Sequence, residues 1–135
     1  MSVGRVLIVD DEAAIRQSVR LILTQAHYEV VEAKDGKEAM AVINSGDNPR
    51  TVDVIICDLY MPKISGAEAI AYFCSQFPSI PIIVLTGKPE VPNIVSLFKQ
   101  GVVDYLCKPV TPEGLLAAVA NAMRHRKQLK GQSQT

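Results

Sequence analysis

Asp10, Asp11 and Glu12 stand directly after the apolar run Val6, Leu7, Ile8, Val9. Asp58 follows Val54, Ile55, Ile56 and Cys57. Thr86 follows Ile82, Ile83, Val84 and Leu85, and Lys108 follows the run 102–107. Clustered carboxylates repel, and without a counter-ion one of them tends to keep its proton. A hard divalent cation relieves that repulsion. Magnesium takes few protein carboxylates, keeps several waters and accepts a phosphate oxygen. An aspartate lying between such a cation and a lysine is placed to attack phosphorus and become an aspartyl phosphate. The cation, the Lys108 ammonium and the Thr86 hydroxyl would then share the charge of the peripheral phosphoryl oxygens. Phosphoryl transfer needs little beyond such positioning and neutralisation.

Each of these residues also has an ordinary explanation. Asp10, Asp11 and Glu12 are acids of the kind a helix dipole favours in a first turn. Asp58 precedes Met61 and Pro62 and could be a turn former, Thr86 precedes Gly87, and Lys108 precedes Pro109 in a solvated loop. The signal is the conjunction. Every strand expected at the middle of a sheet ends in a polar group, and the charges are complementary.

The elements that must position this set are legible from periodicity. Residues 6–9, 28–33, 54–57, 82–85 and 102–107 read as strands, and 54–57 and 82–85 are apolar throughout, as in strands buried on both faces. Helical spacing links Ile15, Val19, Ile22, Leu23 and Ala26, with His27 closing that helix. Asp35 with Glu38, and Ser65 with Glu68, form capping boxes. They open helices carrying Ala39, Met40 and Ile43, and Ile70, Phe73 and Phe77. Residues 46–49 read as a loop. Ile94, Leu97 and Phe98 mark a short helix, and Thr111-Pro112 starts the last one, with Leu115, Leu116, Val119 and Met123. Arg124, His125, Arg126 and Lys127 place a basic cluster in its last turn, where a helix dipole favours cations. A polar, fraying tail is expected over 127–135. Alternating strands and helices with short connections predict one parallel sheet covered on both faces. Such sheets bind ligands beyond the carboxyl ends of their strands.

Composition narrows the function classes. The 135 residues are 48% hydrophobic and 21% charged, proportions of one globular domain. Lys plus Arg total 14 and Asp plus Glu total 14, so a chain-wide basic surface for nucleic acid is not expected. The longest apolar run, Leu115 to Ala120, is far short of a membrane span, and the N-terminus does not read as a signal peptide. Cys57, Cys74 and Cys107 are odd in number and lack a C-x-x-C. They read as buried free thiols in a reducing cytoplasm rather than as nucleophiles.

Taken together, Val6 to Glu12, Asp58-Leu59-Tyr60-Met61-Pro62 with Gly66, Leu85-Thr86-Gly87, and Asp104 to Pro109 resemble a two-component response-regulator receiver domain of the chemotaxis-regulator type. The likeness covers about residues 4–126. It implies a flavodoxin-like (βα)5 doubly wound five-stranded parallel sheet of order 2-1-3-4-5. It also implies a receiver domain over 1–126, followed by a polar tail or the start of a linker at 127–135. By position, Asp58 resembles the phosphoacceptor, and Thr86 and Lys108 the pair that grips the phosphoryl group. Asp10, Asp11, Asp58 and the backbone carbonyl of Tyr60 resemble the ligands of Mg2+ or Mn2+. Thr86 and Tyr105 resemble the switch pair, and Tyr60 and Lys88 the positions that tune hydrolysis. The implied function is a phosphoacceptor signalling switch of a phosphorelay, not an enzyme beyond its own phosphorylation and dephosphorylation. The implied donor is a sensor histidine kinase or a histidine phosphotransfer protein. The implied output face, about residues 93–126, engages an output domain or downstream protein and admits a homodimer on phosphorylation. Neither nucleic acid nor membrane is an implied direct partner.

Pro89 and Pro92 stiffen the loop after the fourth strand relative to the family pattern. Two other classes compete. A haloacid-dehalogenase-like phosphatase also forms an aspartyl phosphate, but it wants an acid where Tyr60 stands and a cap domain. A flavodoxin-like electron carrier wants a hydroxyl- and glycine-rich loop where Asp10, Asp11 and Glu12 would repel a flavin phosphate.

Overall fold

The five apolar runs pair into a single parallel sheet. In the computed structural model, which describes residues 2–61, 64–87 and 94–133, the strands are β1 (Gly4–Val9), β2 (Tyr28–Ala33), β3 (Val52–Asp58), β4 (Ile82–Thr86) and β5 (Val102–Cys107). Their spatial order is β2-β1-β3-β4-β5, the order expected. The helices are α1 (Ala13–Gln25), α2 (Gly36–Ile43), α3 (Asn48–Thr51), α4 (Gly66–Gln76), α5 (Ile94–Gln100) and α6 (Pro112–Ser133).

Alternation along each strand builds two cores. Leu7, Val9, Ile55, Cys57, Ile82 and Val84 point to one face and pack with Ala39, Ile43, Ile70, Phe73 and Leu97 of α2, α4 and α5. Val6, Ile8, Val54, Ile56, Ile83 and Leu85 point to the other and pack with Val19, Leu23, Leu115 and Val119 of α1 and α6. Because both faces are covered, the only open edges of the central strands are their ends. That is what leaves Asp10, Asp58 and Thr86 together at one rim.

Four local expectations are corrected. Residues 46–49 are not all loop. Asn48–Thr51 forms one helical turn, helped by Pro49 in its first positions and by Thr51 Oγ1 donating to Asp47 O at 2.9 Å. The expected fraying tail is helical through Ser133 in α6, so the basic cluster and His125 lie within the helix rather than in its last turn. The physical reason is Arg126, which extends the buried stripe of Leu115, Val119 and Ala122. Its guanidinium donates to the Ser79 carbonyl at 2.9 Å and to Ser79 Oγ at 2.8 Å, and faces Asp53 at 3.5 Å. The cysteines are not uniformly buried: Cys57 is, Cys74 is half-buried, and Cys107 is exposed because β5 is an edge strand. His27 ends α1 in the left-handed region at φ 71°, with its N–H on Thr24 O at 3.0 Å. Among the described residues no helix is long and apolar enough to cross a membrane.

Both expected capping boxes form their N-cap half. Asp35 Oδ1 accepts from Glu38 N–H at 2.8 Å, and Ser65 Oγ accepts from Glu68 N–H at 3.2 Å. Gly66 then donates to Leu59 O at 3.1 Å, folding the start of α4 against the residue after Asp58. A Cβ on Gly66 would overlap the Asp58 carbonyl oxygen and lie 2.5 Å from Leu59 Cα. Neither atom is the end of a flexible side chain. Gly66→Ala should therefore destabilise the protein by about 1–3 kcal/mol, the range for overpacking a tight site. Urea unfolding measures this as a lowered midpoint, and an unchanged midpoint would mean that the backbone there yields freely.

Candidate functional site at the strand ends

Asp10 follows β1 and is fully buried. Its backbone N–H donates to Ala33 O at 3.1 Å, and its Oδ1 accepts from Glu12 N–H at 2.8 Å. Its carbonyl accepts from Arg16 Nη1 at 2.5 Å. Arg16 is held in turn by Glu32 at 3.1 Å, and Arg20 by Glu32 at 2.6 Å. Asp58 is the last residue of β3 and almost fully buried, with Oδ1 accepting from Tyr60 N–H at 3.1 Å. Thr86 ends β4, is fully buried, and accepts the Lys108 N–H on its carbonyl at 2.7 Å. That bond carries Lys108 back across the rim after β5. The Lys108–Pro109 peptide is cis.

Lys108 Nζ lies 2.8 Å from Asp10 Oδ2, 2.9 Å from Glu12 Oε1 and 3.2 Å from Asp58 Oδ2. One ammonium thus serves three carboxylates. Burial disfavours the Lys108 ammonium. The close approach of Asp10, the hydrogen bond to Glu12 and the charges of Asp10 and Asp58 outweigh that, and the lysine is held well above its ordinary range. Burial pushes the Asp58 carboxyl up, and the Asp10 charge adds to this, against the opposing Tyr60 N–H and Lys108. Cys57 is pushed far up by burial and then by Asp58 and Asp10, so it is an inert thiol.

Asp10, Asp11, Glu12 and Asp58 each offer an oxygen within 4.8 Å of the others. Asp10 Oδ2 accepts no hydrogen bond in proper geometry although it is buried beside the ammonium. An all-oxygen set with an unsatisfied buried carboxylate oxygen suits a hard cation such as magnesium. Glu12, Asp58, Tyr60, Gly87 and Lys108 line a cleft of about 270 Å³ here. A larger apolar groove of about 380 Å³ adjoins it through Tyr60 and is lined also by Leu59, Leu97 and Gln100. Among the described residues that line it, Tyr60 is the one titratable group, so the smaller cleft is the candidate for chemistry.

The structure therefore brings together Asp10, Asp11, Asp58 and Lys108 at one rim, with Tyr60 on its wall and Thr86 beside it at the end of β4. Tyr105 stands apart, partly exposed on β5 opposite Val84. Lys88, Pro89 and Pro92 lie outside the described residues. The sequence reading missed Arg16 and Glu32, which brace the Asp10 loop from behind, and the hold of Glu12 on Lys108. The one available signal was the spacing of Arg16 and Arg20, which puts two cations on one face of α1.

A parallel α/β sheet of this order carries an acid cluster, a hydroxyl residue and a lysine at its carboxyl rim. The family model for the response regulator receiver domain matches residues 6–120, and the chain belongs to that family, the receiver module of two-component signalling. It is 38% identical over 120 residues to the response regulator MprA of Mycolicibacterium vanbaalenii, covering 89% of this chain and 50% of that protein. The chain thus spans about half the length of the curated relatives of this type. Among solved structures it is similar to a response regulator receiver domain protein of Clostridium thermocellum. There the TM-score is 0.86 with 32% identity, over 94% of this chain and 99% of that one. Chemotaxis protein CheY4 of Vibrio cholerae gives 0.77 with 38% identity over 88% and 98%. Family membership removes the phosphatase and electron-carrier alternatives.

A raised Asp58 carboxyl means that the native state holds this proton more tightly than the unfolded chain does. Its contribution to stability is whole below the ordinary carboxylate pKa and is lost as pH rises through the folded value. In metal-free buffer at neutral pH, Asp58→Asn should therefore melt at a higher temperature than wild type. With Mg2+ the order of response reverses. A hundredfold excess over the dissociation constant should stabilise wild type by about 2.7 kcal/mol, and Asp58→Asn by clearly less. Calorimetric melting with and without Mg2+ reads both. Equal Mg2+ shifts in the two proteins would remove Asp58 from the ligand set.

Proposed function

We propose that this receiver domain is a phosphoacceptor switch. It takes a phosphoryl group on Asp58 from a sensor histidine kinase or a histidine phosphotransfer protein in the cytoplasm. The observation that carries this reading is the placement of the Lys108 ammonium 3.2 Å from Asp58 beside three further carboxylates. An Asp58 carboxylate oxygen attacks phosphorus while the bond from phosphorus to the donor breaks, and the donor leaves with that electron pair. Lys108, already at the carboxylate, neutralises a phosphoryl oxygen. Thr86, at the neighbouring strand end, offers a hydroxyl to another. Asp10, Asp11 and Asp58, with the Tyr60 backbone carbonyl, are the proposed ligands of Mg2+ or Mn2+. When bound, that ion supplies charge neutralisation of the transferred group. The domain acts on no substrate other than its own aspartate.

The output face in this reading is α5, β5 and α6. Val95, Phe98 and Tyr105 are large exposed hydrophobic side chains on two of these elements, which suits an output domain, a downstream protein or a second phosphorylated copy. Tyr105 is the proposed follower of Thr86, and its exposure fits the state before phosphorylation. A new charged group on Asp58 biases the equilibrium between two arrangements of this face. Residues 1–126 make the proposed module, with residues 127–135 either a polar tail or the start of a linker to an output domain.

Incubation with Mg2+ and acetyl phosphate should add one phosphoryl group by intact mass. Asp58→Asn should abolish the addition, and Lys108→Ala should keep it but uncouple it from the conformational response. Continued modification of Asp58→Asn would refute the assignment. Tyr60 is 38% exposed and lines the cleft, and its ring is the proposed screen of Asp58 against attacking water. Lys88 is the second proposed rate-tuning position. Tyr60→Asn should speed hydrolysis about tenfold, equivalent to about 1.4 kcal/mol of barrier. Loss of phosphorylated mass over time measures it, and an unchanged rate would remove Tyr60 from rate control.

A further inference from the structure

The three carboxylates around Lys108 are not equivalent. Asp10 is buried and Asp58 nearly so, and both are fixed at strand ends. Glu12 is the N-cap of α1, and its side chain is 59% exposed while that of Lys108 is 12% exposed. The Glu12 backbone is secured independently of its carboxylate. Its N–H donates to Asp10 Oδ1 at 2.8 Å, and its carbonyl accepts from Ile15 and Arg16 N–H at 3.1 and 3.2 Å. The side chain can therefore turn away without disturbing the helix start.

An ammonium has three N–H donors. Lys108 donates to Glu12 and Asp58 at 2.9 and 3.2 Å and is ion-paired with Asp10 at 2.8 Å, so three carboxylate oxygens enclose its ammonium. An anion that needs Lys108 must displace one of the three. Displacing Asp10 would leave a buried charge without its partner, which is costly. Glu12 can move into water, and an exposed ion pair of this kind is worth little.

We propose that Glu12 is a positioning residue that holds Lys108 before phosphorylation and yields it to the phosphoryl group on Asp58. This rests on the phosphoacceptor reading of the same site. As the Asp58–phosphorus bond forms and the donor departs with its electron pair, Lys108 stays protonated. It exchanges the Glu12 carboxylate for a phosphoryl oxygen, and Glu12 becomes hydrated. The hold stabilises the resting state and slows phosphoryl uptake.

The test is a double-mutant cycle. Uptake from acetyl phosphate, at Mg2+ saturating for each variant, is followed by intact mass. The proteins are wild type, Glu12→Gln, Lys108→Ala and the double variant. Glu12→Gln should accelerate uptake about two- to fivefold, the span a partly exposed ion pair supports, and should change nothing in the Lys108→Ala background. Equal acceleration in both backgrounds would mean that Glu12 merely repels the donor, and would overturn the proposal. No acceleration in either would overturn it as well. A second readout needs no phosphate. Competitive acetylation, mapped by peptide mass, should show Lys108 more reactive in Glu12→Gln, and unchanged reactivity would deny the resting hold. A wild type that gains no phosphoryl group would sink the phosphoacceptor reading and this proposal with it. Uptake on Asp58 that ignores Glu12 would sink this proposal alone.

Discussion

One ammonium group shared by three carboxylates is the interaction around which this molecule is arranged. Lys108 and Glu12 are 96 residues apart in the chain, and Lys108 and Asp58 are 50 apart. No local structure could bring them within 3 Å or so of each other. A parallel sheet does, because every strand that ends at the rim delivers its next residue to the same place. Among the described residues the local balance stays negative, since four carboxylates gather around one lysine ammonium, which pairs with three of them. That excess is unfavourable for a folded protein taken alone and favourable for one that meets a cation and a phosphoryl group.

The opposite rim shows what a purely structural solution looks like. There Arg5 spreads its guanidinium over Glu29, Asp47, Asn48 and Thr51 at 2.7–3.0 Å. Arg126 is buried against Ser79 and Asp53. These groups have their charges and donors matched, and they pin β1, α3 and α6 to the base of the sheet. At the carboxyl rim the count is left unmatched: Asp10 Oδ2 lacks a proper hydrogen bond, and burial strains the Asp58 carboxylate. The same kinds of residues serve stability at one end and chemistry at the other. The difference is whether their bonding is saturated.

The strands were legible because burial on both faces leaves uninterrupted apolar runs, as in 54–57 and 82–85, while their order followed only from the family resemblance. The site residues were legible because those runs end abruptly in Asp58, Thr86 and Lys108. What escaped was side-chain behaviour that periodicity does not encode. Arg126 read as one of four surface cations, yet its long stem fills a core position and its head finds a carbonyl. Cys107 read as core, yet an edge strand exposes it. Glu12 read as a first-turn acid, yet its carboxylate reaches the lysine. Each case turns on a tertiary neighbour far away in sequence: Ser79 for Arg126, the sheet edge for Cys107, Lys108 for Glu12.

The zero net charge of the chain conceals this division of labour. Among the described residues, acids concentrate at one rim, where Lys108 faces them and Arg16 braces the Asp10 loop, while Arg5 and Arg126 are spent at the other rim. A switch built on such a rim needs little structural change to register one added phosphoryl group. The ammonium is already in place, its partners differ in how cheaply they can be given up, and Thr86 binds the Lys108 backbone through its own carbonyl at 2.7 Å. That bond makes the end of β4 and the end of β5 one mechanical unit. Under the proposed function, a charge arriving at Asp58 therefore acts on two strand ends at once. The sheet carries the consequence to β5, the strand that holds Tyr105, and through it to the face formed with α5 and α6.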